Sequence, residues 1–394
     1  MDATTRFAAE LRRRRTELGL SYRALAKAAY CSSSYIDELE KGRKTSPHRE
    51  YVQNLDAALG AGGQLMAILF PPQLDDDADS EIEAIELVRH VTASDVSPET
   101  LDRLERASDR MAMAYATTPP DLLLPRVRRH LAYVDHLLDA RKTLDQHRRL
   151  IVVGGWLALL RATLHIDLRQ ANAADAYLDS ASEMAGQAGH PEIAAWALET
   201  KAWDVLTAGD FRRALELAQR AQAVAPAGSS AYLQATAQEG RAWARLGDRP
   251  KTRAVLERVE RLAGNRPAPD HPEHHYQYDP AKAHSYAATT LAWAGDPAAE
   301  GVARAVIKEL EAEAARPRRV ASARLDLSLA LLAADKPDEA AAEASLAIGS
   351  GRIVPSNWWR AAEVVAGVQE SGVPEARDLV EEARVFRPAI EGVR

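Results

Sequence analysis

The feature that most restricts the fold is a pair of short helical segments within residues 20–42, each preceded by a serine and separated by a turn. The hydroxyl of Ser21 can accept a hydrogen bond from one of the free amides that begin a helix. The 3.6-residue period then places Leu25, Ala28 and Ala29 on one stripe that is predicted to be buried. Ala26 is small enough for a second helix to cross closely.

The second segment follows Ser32 and places Ile36 and Leu39 on its predicted buried face. Gly42 favours an end to this helix, because glycine adopts the left-handed conformation common after helix C-termini at little steric cost. The opposite face carries short polar side chains and is free to contact another molecule. Two crossed helices with one exposed polar face form the outline of a helix-turn-helix.

This block resembles the Cro and lambda-repressor-like, or XRE, family, whose motif has the form L-S-x-x-x-L-A-x-x-A-x-x-S-x-x-Y-I-x-x-x-E-x-G. The resemblance covers roughly residues 5–70 and implies an all-α domain of five short helices. The three further helices are expected at residues 5–18, 49–59 and 62–70. Tyr30 stands at a turn position where the family usually has glycine, so a modest backbone strain is expected there.

The resemblance also implies roles for single side chains. Those that face base edges in the major groove, where serine and carboxylate groups exchange hydrogen bonds with bases, are Ser33, Ser34 and Glu38. Those near the phosphates, which fix the register without reading the sequence, are Tyr22, Ser32, Tyr35, Lys41, Arg43 and Lys44. Arg15 and Glu40 match the positions of a structural ion pair between the first helix and the end of the third.

The alternative to DNA binding is a degenerate domain that serves only for dimerisation or partner binding.

The length and charge of the chain indicate a second unit of different character. With 394 residues, 46% of them hydrophobic, the chain exceeds what one helix-turn-helix domain needs. Residues 1–60 contain 11 Lys and Arg against 8 Asp and Glu, whereas the rest contains 39 against 49, so only the amino-terminal part suits a polyanion. No uninterrupted apolar stretch approaches the roughly 20 residues of a membrane helix, and no secretory signal is evident. We therefore expect a cytoplasmic protein.

Residues 71–80 are predicted to form an acidic linker, because two prolines stop the preceding helix and an acidic run discourages packing. They would separate a DNA-binding domain at residues 1–70 from a larger domain at residues 81–394. Four consecutive arginines at residues 12–15 lie in an amphipathic helix. We interpret them as a solvated helix face, with a nucleic-acid-binding arm as the alternative.

From residue 119 onward the sequence is rich in Ala, Leu, Glu and Arg, and short Gly-Asp or Asp-Pro turns interrupt it at intervals of roughly 40 residues. This pattern is typical of an almost entirely helical region. The copy at residues 195–228 resembles a tetratricopeptide repeat, so we expect a TPR-like α-solenoid. Weaker copies are expected at residues 155–188, 233–266, 281–314, 321–354 and 357–390.

Stacked helix pairs of this kind form a superhelix whose concave groove binds peptides, proteins or small molecules. The repeat pattern turns the first helix of each pair toward the groove. The positions carried over are Trp156, Trp196, Glu199, Trp203, Gln234, Arg241, Arg245, Lys282, Ser285, Thr289 and Trp293. Indoles, cations and hydrogen-bonding groups together suit an amphipathic ligand with a negative charge. Alternatively, the tryptophans fill the packing between repeats.

Histidines and carboxylates are crowded at residues 270–279, and His284 follows them. The spacing does not place two ligands four residues apart on a helix, so we expect a structured loop and no metal site, although the region from His271 to His275 leaves metal binding open. The sequence contains no phosphate-binding glycine loop, no nucleophile elbow and no paired-cysteine motif. We therefore expect neither an enzyme nor a cofactor.

A helix-turn-helix head on a tetratricopeptide body is similar to the RRNPP group of peptide-sensing regulators and to related XRE-type regulators of actinobacteria. This resemblance implies a homodimeric transcription regulator of the quorum-sensing type that binds an inverted-repeat operator and responds to a signal peptide or small molecule. The asparagines with which that group commonly clamps a peptide are not among the groove positions above. The alternative function is a scaffold whose repeats bind a protein partner and whose head serves for dimerisation or localisation.

Overall fold

The structure, a computed structural model, describes residues 3–44, 47–61, 63–70, 80–87, 96–264, 269–271, 273–278, 280–312 and 317–386. Within these residues every regular element is a helix and no strand occurs, which confirms the predicted all-α class. Contacts between residues divide the chain into two units, Met1–Ser80 and Glu81–Arg394. Apart from residue 80, the proposed linker at residues 71–80 lies outside the described residues.

In its described part, the amino-terminal unit consists of five helices that follow the predicted segments: α1 (Ala3–Glu17), α2 (Tyr22–Ala28), α3 (Ser33–Glu40), α4 (Arg49–Ala58) and α5 (Gln64–Leu69). Each helix contributes apolar side chains to one core. The members buried most completely are Phe7, Leu11, Leu25, Ile36, Leu39, Leu55 and Leu65. The two serine-capped helices of the motif therefore pack against the other three through a shared apolar centre.

The buried stripe of α2 differs from the predicted one at a single residue. Ala28 is exposed, whereas Leu25, Ala26 and Ala29 are buried. Residues 25, 26 and 29 span an arc of about 100° on an ideal helix, and residue 28 lies about 60° outside that arc. The prediction of Ala28 as a core residue was therefore wrong, and Ala26 takes its place.

The carboxy-terminal unit is a succession of helices in which the predicted repeat at residues 195–228 corresponds to the pair α11–α12. Small residues of that pair, Ala202, Ala214 and Ala221, are fully buried between its helices. The described helices are α6 (residues 80–87), α7 (Pro98–Ala114), α8 (Pro120–Asp139), α9 (Leu144–Asp167), α10 (Ala171–Ala188), α11 (Pro191–Thr207), α12 (Phe211–Val224), α13 (Ser230–Arg245), α14 (Arg249–Gly264), α15 (Pro280–Ala294), α16 (Ala299–Ala312), α17 (Pro317–Ala333), α18 (Pro337–Gly349), α19 (Trp358–Ser371) and α20 (Ala376–Phe386).

These helices form two layers. Each odd-numbered helix from α7 to α17 contacts the next odd-numbered helix, while most even-numbered helices contact only their neighbours in sequence. The odd-numbered helices thus stack as the inner layer, as expected for tandem helix pairs. Gly209 and Gly247 occupy two of the predicted turns with φ of +90° and +78°, where a side chain would be strained.

Helix α9 is the one helix in the described part of the chain that is long and apolar enough to cross a membrane. Its longest uninterrupted apolar run, residues 150–160, is much shorter than a membrane span, so the prediction about uninterrupted apolar stretches is not contradicted. The most apolar window of α9 is 83% buried inside the unit. A helix that is covered by protein on nearly all sides needs an apolar surface all around, which accounts for its composition.

Candidate functional site

The position of α3 is set by its cap and by its buried face. The Ser32 hydroxyl accepts a hydrogen bond from the Tyr35 amide at 3.1 Å, and Ser21 caps α2 in the same way. Ile36 and Leu39 attach the inner face of α3 to the core. Between the two helices Tyr30 has φ of +52°, the left-handed conformation in which a residue other than glycine carries the strain expected from the sequence.

The outer face of α3 carries the three side chains predicted to read bases. Ser34 and Glu38 are exposed on the side opposite Ile36, and Ser33 is half-buried at the flank. The hydroxyls of Ser32 and Ser34 lie 3.1 Å apart and form a hydrogen bond. The face therefore presents two short hydroxyl groups and one carboxylate at the helix surface, a set that can both donate and accept hydrogen bonds.

The predicted phosphate contacts surround this face. Arg43 and Lys44 are exposed just beyond the end of α3, and the Lys44 ammonium lies 5.8 Å from the centre of the half-buried Tyr35 ring. Lys41 is exposed and donates to Asp37 at 2.7 Å, one turn earlier. A cluster of cations at the edge of an exposed polar helix face is suited to a polyanion.

Arg15 and Glu40 form a bidentate ion pair between α1 and the end of α3, with distances of 2.5 and 2.9 Å. The Glu40 side chain is 0% exposed, and hydrogen bonding to it raises the pKa of Arg15. Tyr22 also donates its hydroxyl to Glu40, at 3.0 Å. The Tyr22 hydroxyl, predicted to lie near phosphates, is thus engaged inside the unit.

Asp56 holds α5 in a way that the sequence analysis missed. Its buried carboxylate accepts hydrogen bonds from the amides of Gly63, Leu65 and Met66 at 2.6, 2.8 and 3.2 Å. These are amides at the start of α5 that have no partner within the helix. The signal is difficult to read from sequence, because the cap comes from α4 and the residue before α5 is Gly63, which has no side chain.

The carboxy-terminal unit contains a cavity of about 250 Å³ along its inner layer, here called the inner cavity. The predicted groove positions that line it are Trp196, Glu199, Trp203, Gln234, Arg241, Lys282, Ser285 and Thr289. Trp156, Arg245 and Trp293 do not line it. Further lining residues that the repeat pattern did not indicate include Tyr115, Asp167, Tyr286, Arg318, Asp326, Asn357 and Arg360.

Residues 273–278, which lie between α14 and α15 and are here called the covering loop, cover part of the inner layer. Tyr276 is 5% exposed, and its ring centre lies 5.0 and 5.3 Å from those of Trp156 and Trp196. The His275 amide donates to the carbonyl of Ala112 at 3.1 Å. Trp156 is half-buried and lines a separate cavity on the other side of Tyr276, so this predicted groove residue does not line the inner cavity.

Lys282 fastens this loop. Its ammonium donates to the carbonyls of His274 at 3.1 Å and His275 at 2.9 Å, and also to that of Gln277. An ammonium group has three donors, so these carbonyls use its hydrogen-bonding capacity. Lys282 lines the inner cavity as predicted, but its ammonium group is hydrogen-bonded to the loop that forms part of the cavity wall.

The histidines near this loop face different partners. His271 lies 3.7 Å from Glu273, His274 lies 3.5 Å from Asp109, and His284 lies 3.1 Å from Glu309. Within the described part of the chain, no group of three or more His, Cys, Asp or Glu side chains converges on one point. Burial lowers the pKa of His275, the histidine that lines the inner cavity, well below its usual value.

Three guanidinium groups surround Trp293 at the end of the cavity. The guanidinium carbons of Arg241, Arg245 and Arg360 lie 5.0, 5.1 and 5.2 Å from the centre of its ring. The negative face of an indole stabilises such cations, especially when water is excluded. Trp293 thus acts as a wall behind the arginines, and this explains why a predicted groove residue does not itself line the cavity.

The two ends of the inner layer meet beside the inner cavity. Asp167, at the end of α9, is 0% exposed and accepts hydrogen bonds at 2.9 Å from Tyr115 and from Ser356, which precedes α19. Arg318 of α17 donates to the carbonyls of Tyr115, at 2.9 Å, and Thr118. Burial raises the pKa of Asp167. The contacts of Ser356 and Arg318 join residues 189 to 203 positions apart and close one side of the cavity.

Glu199 is a buried carboxyl group in the cavity wall, and it is 4% exposed. The Gln234 amide donates to it at 3.1 Å. Burial is the main cause that raises the pKa of Glu199 to about 7, and the Gln234 hydrogen bond and the charge of Arg241 oppose this. Near neutral pH this group therefore exists in both the protonated and the charged form.

We expect Glu199→Gln to remove a pH dependence of stability. Folding raises the pKa from 4.5 to about 7, so the folded protein binds this proton more tightly, and the free energy of unfolding falls as the pH rises through this range. At pH 8 the variant should be more stable than the wild type by up to about 3 kcal/mol, with no gain at pH 4.5. Urea unfolding of both proteins at several pH values measures this difference in stability. A stability difference between variant and wild type that does not change with pH would contradict the raised pKa of Glu199.

Comparison with known proteins gives one family match. Residues 6–69 match the sequence model of a helix-turn-helix domain family. No curated protein sequence matches the chain. Among solved structures, a Rap protein complexed with Competence and Sporulation Factor has 15% identity and a TM-score of 0.43, and the alignment covers 95% of this chain and 99% of that one.

Two further solved structures are similar at a lower level. The competence regulator ComR from Streptococcus vestibularis, in its apo form, has 10% identity and a TM-score of 0.33, with 94% and 100% of the two chains covered. PlcR of Bacillus thuringiensis, in complex with the peptide PapR7 and DNA, has 11% identity and a TM-score of 0.26, with 66% and 95% covered. These values are too low to transfer a ligand or a mechanism. The family match and the five-helix geometry agree, and the amino-terminal unit is therefore a helix-turn-helix domain of the XRE-like type.

Proposed function

We propose that this protein is a cytoplasmic, sequence-specific DNA-binding transcription regulator that acts as a homodimer. The observation that carries the proposal is the exposed face of α3, with Ser34 and Glu38 at its surface and cations at its edge, within a unit that matches a helix-turn-helix family. In this class of domain, the corresponding helix enters the major groove, and two heads related by a twofold axis bind an inverted repeat.

We also propose that the inner cavity binds the signal that controls DNA binding. Its wall combines indole rings, buried titratable groups and hydrogen-bonding side chains, as ligand pockets commonly do. Its wall also includes Tyr115, Asp167 and Arg318, which join the two ends of the inner layer. A ligand that favours one arrangement of these ends would shift the equilibrium of the whole unit and, in a dimer, the spacing of the heads.

Replacing Ser33 and Ser34 together by alanine should reduce discrimination between operator and unrelated DNA by about tenfold, because base contacts of this kind are worth about 1–3 kcal/mol. Replacing Arg43 by alanine should instead weaken binding to all sequences alike and lower the slope of log K against log salt by about one. Fluorescence anisotropy with labelled duplexes at several salt concentrations separates the two effects.

Arg212→Ala provides the matched control, since Arg212 is an exposed arginine on α12 of the other unit. This variant should bind DNA as the wild type does. If the double serine variant keeps full discrimination and Arg43→Ala keeps full affinity, α3 is not the reading helix. Binding that is neither sequence-selective nor sensitive to salt would favour the alternative function as a scaffold for a protein partner.

A further inference from the structure

Arg241 is a buried cation without a carboxylate partner. Its side chain lines the inner cavity and is 5% exposed. One terminal nitrogen donates to the Gln238 side chain at 3.2 Å, while the Nε atom has no hydrogen-bond partner. No carboxylate in the described part of the chain lies within ion-pair distance of this guanidinium.

The other two arginines around Trp293 are paired. Arg360 lies 3.1 Å from the buried Asp326, and Arg245 lies 2.8 Å from Glu363. Three guanidinium groups therefore share two carboxylates, and the group left over is Arg241, which is buried and lines the cavity. The cluster carries one uncompensated positive charge next to the cavity.

An unpaired buried charge is costly, because the solvation lost on burial is not replaced by an ion pair. Arginine remains protonated under these conditions, so the charge cannot be removed by losing a proton. The charges of Asp326 and Glu199 reach this cation only at longer range. Asp326 is paired with Arg360, and burial raises the pKa of Glu199 to about 7, so that Glu199 is only partly charged near neutral pH. A residue that lowers stability in this way is commonly retained because it binds a ligand.

We propose that the inner cavity binds a monocarboxylate ligand whose carboxylate pairs with Arg241 and whose apolar body lies against Trp203. One uncompensated positive charge fits one negative charge, and the planar fork of a guanidinium matches a carboxylate. The proposal rests on the cavity being the sensory site proposed above. A free organic acid and the carboxyl terminus of a short peptide share this chemistry.

The cavity volume favours a small occupant. A volume of about 250 Å³ lies near the lower end of the range for small-molecule pockets, which begins at roughly 300 Å³. The covering loop and the contacts of Asp167 limit its extension on two sides. A free acid of moderate size, or only the last residues of a peptide, would fill it.

Two sets of probes distinguish the sources of the carboxylate. The first set contains phenylacetate, 3-phenylpropionate and octanoate, each paired with its amide. The second is a pool of N-acetylated tripeptides with free carboxyl termini, paired with the same pool as terminal amides. With full-length protein, acids of one set should quench tryptophan fluorescence and raise the Tm by at least about 2 °C, and their amides should bind at least tenfold more weakly.

The variant Arg241→Met tests whether Arg241 binds the ligand carboxylate. Without any probe it should raise the Tm, because it removes an unpaired buried charge, and it should abolish the preference for acids over amides. The matched control Arg360→Met should lower the Tm, since it leaves Asp326 unpaired. Equal binding of acids and amides, no binding in either set, or an acid preference that survives in Arg241→Met would each overturn the proposal. These measurements need no DNA, so their failure is distinct from a failure of DNA binding.

Discussion

Replacing Arg15 by methionine should lower the free energy of unfolding of the amino-terminal unit by about 3–5 kcal/mol, the largest effect that we expect in this unit. The substitution leaves the Glu40 carboxylate fully buried, with the Tyr22 hydroxyl as its remaining hydrogen-bond donor and the largely exposed Arg12, 3.6 Å away, as its remaining cation. Because small domains are stable by only about 5–15 kcal/mol, much of the unit would unfold under mild conditions. DNA binding would be lost with it.

Amide hydrogen exchange of the full chain measures this effect unit by unit, because protection of residues 3–70 can be followed separately from that of residues 96–386. The control is Arg13→Met. Arg13 pairs with Glu10 and Glu17 on the exposed side of the same helix, so its loss should change protection little. Equal loss of protection in both variants would show that the ion pair between α1 and α3 does not hold the unit together.

Replacing Trp196 by alanine should lower the free energy of unfolding of the carboxy-terminal unit by about 3–5 kcal/mol. The indole is 2% exposed and packs against Tyr276, so its removal opens a hole between the inner layer and the covering loop. The resulting loss of buried apolar contacts cannot be recovered without moving the loop. Urea unfolding followed by circular dichroism measures the change.

Trp203→Ala is the matched comparison, because Trp203 is only half-buried and lines the same cavity. It should cost clearly less stability than Trp196→Ala. The pair therefore separates the two interpretations of the groove tryptophans, one as packing and the other as a ligand surface. If Trp196→Ala were no more destabilising than Trp203→Ala, the packing role given to Trp196 and the covering loop would be wrong.

The helix-turn-helix was predictable because its signals are local. Ser21 and Ser32 sit at helix starts, and each accepts the hydrogen bond that its position in the sequence implies. The error at Ala28 has a geometric cause, since a three-residue step from Leu25 turns back by about 60°, whereas the four-residue step to Ala29 turns forward by about 40° into the buried arc. The cap from Asp56 was missed because it comes from another helix.

The repeat unit was predictable in outline for a similar reason. Turn residues and small helix-contact positions recur along the chain, so the helix pairs and their inward faces could be placed. The contacts of Asp167 with Ser356, and the pairing of Arg360 with Asp326, join distant parts of the chain and leave no periodic signal. The same holds for the covering loop, which packs against Trp156 and accepts hydrogen bonds from Lys282. Asn357 also lines the cavity at a position that the repeat pattern did not give.

The exposed face of α3 is proposed to read DNA sequence. The most direct test is selection of bound duplexes from fragmented host DNA with the purified full-length protein, followed by sequencing. We expect enrichment of an inverted repeat, and loss of that enrichment when Ser33 and Ser34 are replaced by alanine. If no sequence is enriched, either by the full-length protein with and without carboxylate ligands or by residues 1–70 alone, the protein is not a sequence-specific regulator.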